Sequence, residues 1–83
     1  MTTMHDILQA ACEEHRQYNP KSAEGVFGAD EFARSFIRIT GVEISVVTAR
    51  FALDAMRDVK EFPPTVRLYQ YSGFVKKPDR EDK

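Results

Sequence analysis

Six basic residues in the second half of the chain, Arg50, Arg57, Lys60, Arg67, Lys76 and Lys77, have the type and spacing to grip the phosphates of double-stranded DNA. Phosphate contacts from lysine and arginine fix a protein on the duplex. An arginine can also donate two hydrogen bonds to a guanine edge, and Arg50 is the foremost candidate for that role. Asp54, four residues after Arg50 and three before Arg57, and Asp58, four after Asp54, lie on the same stretch, so the strip also reads as ion pairs on a wet surface. A second set is apolar and aromatic: Val46, Leu53 and Met56, followed by Tyr69, Tyr71 and Phe74. Tyrosines on an exposed strand face and an uncovered helix flank suit a protein partner. The alternative is that these two surfaces cover each other within one chain.

Other constellations fall short of chemistry. Cys12 and His15 stand three apart on one helical stripe, but no third or fourth metal ligand accompanies them. A packed cysteine and a partly buried histidine are the plainer reading. Gly25 and Gly28 bracket Val-Phe and are followed by no Lys-Ser/Thr, so they form no phosphate loop. Arg34 and Arg38, one turn apart, fit either a phosphate or a solvated stripe. His5 and His15 have no nucleophile or acid cluster around them. The expectation is a protein that is not an enzyme and needs neither cofactor nor metal.

The elements that must position these residues follow from hydrophobic spacing. Met4, Ile7, Leu8, Ala11, Cys12, His15 and Tyr18 fall at helical intervals, with Thr2 or Thr3 as cap and Asn19-Pro20 as terminator. Residues 19–29 are a connection rich in Gly, Pro and Ser, within which Val26-Phe27 is either a short strand or a clip over the core. Asp30 is placed to cap a second helix over about 31–39, which Thr40-Gly41 ends. The stretch around which the chain is organised comes next. From Glu43 or Ser45 to about Asp58 runs a third helix, apolar over more than half its circumference. Its core stripe is expected to be Ile44, Val47, Thr48, Phe51, Ala52, Ala55 and Val59. The flank at Val46, Ala49, Leu53 and Met56 is left for another cover. Val59–Phe62 and 65–71 have strand character either side of Pro63-Pro64, with Arg67, Tyr69 and Tyr71 facing away from Val66 and Leu68.

Composition bounds the rest. The chain has 83 residues, 42% hydrophobic and 30% charged, which fits one domain over residues 1–75 with a polar tail at 76–83. A chain this short buries only about 60% of its unfolded surface, so a homodimer is expected. Net charge is −1, which argues against nucleic acid. Its distribution is uneven, with −4 over residues 1–31 and +3 over 32–83. One cysteine excludes an internal disulfide. No apolar run approaches a membrane span and the N-terminus lacks a basic n-region, so the expected location is cytoplasmic.

The order of segments over about residues 29–71 resembles the winged helix-turn-helix superfamily. ADEFARSFIRITG stands as helix two and turn, EISVVTARFALDAMRD as helix three, and VKEFPPTVRLYQY as the wing. The stretch from Thr40 to Ser45 and the helix after it are also similar to lambdoid-phage replication-exclusion (Ren-type) proteins. The resemblance implies a mainly α fold with a small β wing. It also implies a DNA-binding accessory or transcriptional regulator of phage or prophage origin. Members that have lost DNA binding serve as protein-interaction modules or inhibitors of a host protein. A long link from Phe36 to Ser45 and a Pro-Pro wing corner depart from the pattern.

Overall fold

The computed structural model describes residues 2–62 and 67–74. Among these, the chain runs α1 (Met4–Tyr18), β1 (Val26–Gly28), α2 (Ala29–Thr40), α3 (Val46–Asp54), β2 (Val59–Glu61) and β3 (Leu68–Tyr71). It is three helices with one three-stranded antiparallel sheet in the order β1-β3-β2. Val26 pairs with Gln70 and Phe27 with Tyr69, while Lys60 pairs with Gln70 on the other side. No described helix is long and apolar enough to cross a membrane.

Local sequence explains the element ends. Thr3 Oγ1 accepts the Asp6 N–H, and the Asp6 carboxylate accepts the Thr3 N–H, a reciprocal cap that fixes the start of α1. Glu31 closes the start of α2 by accepting the Gly28 N–H at 2.7 Å, so that helix begins at Ala29 and not after Asp30. Gly41, at φ 77°, takes the left-handed turn that ends α2. Ser45 Oγ accepts the Thr48 N–H and starts α3.

The third helix is shorter than its apolar run. Ala55 and Met56 donate to Ala52 and Leu53 in tight three-residue bonds, and the helix closes at Asp54. The chain must leave the helix there, because the Asp58 carbonyl accepts the Ser72 N–H and Val59 pairs with Tyr71. Beyond Asp54, Met56 and Arg57 therefore lie in the turn into β2.

The core joins Ile7, Leu8, Ala11 and Cys12 of α1 to Phe27, Phe32, Leu53, Val59, Tyr69 and Tyr71. Tyr69 lies over Phe27 with ring centroids 6.2 Å apart, and Phe32 bridges from Phe27 to Phe36. Two expectations are corrected by this packing. The first concerns α3, which buries Ala49 and Leu53, not Val47 and Phe51. Val47 is 62% and Phe51 72% exposed, and Thr48 and Ala55 are exposed as well. The buried face lies roughly 160° around the helix from the expected one. A helix apolar on nearly every side has no preferred face of its own. Its orientation is set by α2 and β2, which pack against the side bearing Ala49. The second concerns the tyrosines. Alternation along β3 holds, but Tyr69, 1% exposed, and Tyr71 point inward. Tyr18, expected on the buried stripe of α1, is exposed in its last turn.

The two faces of α3 make opposite predictions for stability. Leu53→Ala should cost about 2–5 kcal/mol, whereas Phe51→Ala should change stability by less than about 0.5 kcal/mol. Urea denaturation of both variants checks this, and equal losses would contradict the orientation of the helix.

Candidate functional site

Burial separates the residues singled out in the sequence. Leu53, Tyr69 and Tyr71 belong to the core and are not available to a partner. Met56 and Phe74 are half-buried against that core. Val46 is the one member of the apolar and aromatic set that stays exposed. The two surfaces thus cover each other, because the sheet supplies the side that α3 needs. Tyr69 adds a polar link, its hydroxyl donating to Asp54 Oδ1 at 3.3 Å.

Among the described residues, Arg57 and Lys60 are the basic candidates that share a groove. Arg57 and Lys60 line a groove of about 540 Å³, whose other walls are Glu24, Asp58, Gln70, Tyr71, Ser72 and Phe74. Two acids therefore share the groove with two bases. Arg50 is half-buried on α3, and its Nε is buried without a hydrogen-bond partner among the described residues. Arg67 is exposed ahead of β3, where its carbonyl accepts the Ala29 N–H. Lys76 and Lys77 lie outside the described residues, as do Pro63, Pro64, Thr65 and Val66. Arg34 and Arg38 are held by acids of the first two helices. Arg34 reaches Glu14 at 2.6 Å and Asp30 at 3.6 Å, and Arg38 reaches Glu14 at 3.8 Å. The hydrogen bonds that Arg34 donates to the Glu14 carboxylate raise its pKa further.

A further candidate surface is the outer face of α3. Val47 and Phe51, one turn apart, form its centre. Val46 flanks them, and Val42 in the α2–α3 link adds a fourth exposed apolar side chain. Asp54 and Arg50 edge the same side. The hydrophobic spacing of Val47 and Phe51 was visible in the sequence, but read as core.

Two internal contacts escaped the sequence reading. His15 Nδ1 lies 2.8 Å from Glu31 Oε1, the oxygen that also accepts the Gly28 N–H. A glutamate three residues after the helix cap was the available signal. His5 Nδ1 lies 2.7 Å from the Tyr71 hydroxyl, a contact across 66 positions that no local pattern announces. Burial, followed by nearby Asp58 and Cys12, pushes the Tyr71 phenol up. Cys12 is fully buried and donates to the Gly25 carbonyl. Burial, then Glu13 and Glu31, push its thiol up to about 12. No group of three or more His, Cys, Asp or Glu residues suited to a metal ion occurs among the described residues. No protein-family model, curated protein or solved structure matches this chain.

The interior gives two predictions. With a thiol pKa near 12, roughly one part in ten thousand of Cys12 is ionised at pH 8. Iodoacetamide should leave the native protein unmodified and alkylate it fully in urea, as mass spectrometry would record. Glu31→Ala should cost about 3 kcal/mol, because it leaves the His15 ring and the Gly28 N–H buried without their acceptor. A loss below about 1 kcal/mol in chemical denaturation would show that water replaces the carboxylate.

Proposed function

We propose that this chain is a winged-helix-like protein-interaction module that contacts a partner protein through the outer face of α3. The scaffold reading is supported by the order of elements. Helices α2 and α3, joined by residues 41–45, are followed by the β2–β3 hairpin where a wing would stand. The observation that carries the functional reading is the exposure of Val47 and Phe51 at the centre of that face. In a DNA-binding winged helix the same helix enters the major groove, and polar and cationic side chains read the bases there. Here that position carries valine and phenylalanine, whose desolvation favours an apolar protein surface. The charges nearby support the same choice. Arg57 and Lys60 share their groove with Asp58 and Glu24, so a phosphate backbone would meet like charge beside each cation.

The test is binding of labelled random-sequence duplex DNA, followed by fluorescence anisotropy at about 50 and 200 mM salt. No saturable association is expected at either concentration. Association at low salt that falls with a log–log slope of roughly −0.9 per phosphate contact would overturn the protein-binding reading. It would also return Arg50, Arg57, Lys60 and Arg67 to the position of site residues.

A further inference from the structure

The two edges of the sheet differ in what their backbones offer. At the β1 edge the Gly28 N–H is held by Glu31 Oε1, and the Val26 N–H reaches the Ala23 carbonyl at 3.4 Å. The β2 edge has no such closure. The Phe62 N–H donates to the Leu68 carbonyl and the Ser72 N–H to the Asp58 carbonyl, so the β2–β3 ladder continues past both ends of β2. With Lys60 opposite Gln70, residues 58, 60 and 62 turn their backbone groups toward β3. The N–H and C=O groups of Val59 and Glu61 therefore turn outward, and neither N–H has an acceptor among the described residues. An edge of this kind is a template for another extended strand. We propose that the strand it takes is β2 of a second copy of the chain, antiparallel about a two-fold axis between the two Val59 residues, so that two three-stranded sheets become one.

Charge selects this occupant and its register. Asp58 and Lys60 are exposed, line one groove together, and form no ion pair among the described residues. Across the new seam, residues that turn outward must oppose residues that turn outward, which leaves registers centred on Val59, Lys60 or Glu61. Centring on Glu61 sets glutamate against glutamate and places Val59 opposite Pro63, which has no N–H to give. Centring on Lys60 sets lysine against lysine. Centring on Val59 sets each Lys60 against Asp58 of the other copy, at the non-hydrogen-bonded positions where side chains approach closest. A lysine on an edge strand ordinarily guards against strand addition. Here the acid two residues before it relieves that guard in one register alone. An unrelated strand would need an acid at that one position, whereas a second copy brings it to both sides of the axis. The seam is short, so the association should be weak and depend on concentration.

Sedimentation equilibrium of the full chain between about 10 μM and 1 mM tests the pairing, with a monomer–dimer equilibrium expected in that range. Hydrogen exchange followed by NMR reads the seam itself. Exchange of the Val59 amide should slow as the dimer forms, while the Lys60 amide, already paired with Gln70, should change far less. Lys60→Asp should weaken dimerisation at least about tenfold, since it sets aspartate against Asp58. The double variant D58K/K60D should restore association to within about threefold of the original. Both positions are exposed, so the urea midpoint of the dilute variants should stay close to that of the parent. A chain still monomeric at the highest concentration, a dimer indifferent to Lys60→Asp, or a double variant no tighter than Lys60→Asp would each overturn the strand pair. A dimer lost on Phe51→Asp while the Val59 amide exchanges freely would overturn it too, by placing the contact on α3. The seam shares no residue with Val47 or Phe51, so its fate is independent of what the outer face of α3 binds.

Discussion

The strand Leu68–Tyr71 holds the sheet together, because it pairs with β1 on one side and β2 on the other. Its pairing with β1 joins residues more than forty positions apart, Val26 with Gln70. The entropy of closing so long a loop must be offset by what the strand buries. Tyr69 and Tyr71 supply that burial, Tyr69 against Phe27 and Tyr71 beside Val59. Gly25 makes the close approach possible. At φ 79° it accepts the Tyr71 N–H on its carbonyl, and a side chain there would collide with the Tyr71 backbone. Once β3 is seated, α1, β1 and β2 have a common wall, and Leu53 is drawn onto it.

Glu31 is the polar counterpart of that apolar seat. One carboxylate oxygen satisfies a histidine on α1 and a backbone donor at the end of β1, from a position in the first turn of α2. Three elements are therefore indexed to one another by a single buried group. Such a group is costly to bury alone and well placed once its partners arrive, so it favours one arrangement of α1 against α2 over near alternatives.

Legibility in the sequence followed the range of the interaction. The bounds of α1 were readable because Thr3, Asp6 and Pro20 act within a few residues of its ends. Thr40-Gly41 and Ser45 were equally local. Val26-Phe27 could be suspected as a strand, but only the arrival of Tyr69 and Gln70 makes it one. The face of α3 was misread for a definite reason. Val46, Val47, Ala49, Phe51, Leu53 and Ala55 leave so little polar surface that the pattern permits several inward faces. The choice among them is tertiary, made by α2 and β2. The same ambiguity put Tyr69 and Tyr71 among surface residues: alternation says which residues share a side, not which side is wet. The coarse architecture was thus accessible from local chemistry, while the candidate surface emerged only once the buried side was known.

The hydrogen bond between His5 and Tyr71 brings together residues near the two ends of the described chain. Within the described residues, the first turn of α1 and the end of β3 therefore lie side by side. A contact across 66 positions closes the described fold into a ring, so loosening either the start of α1 or the end of β3 should loosen the other. The described fold is in this sense a clasp, fastened by a histidine and a tyrosine.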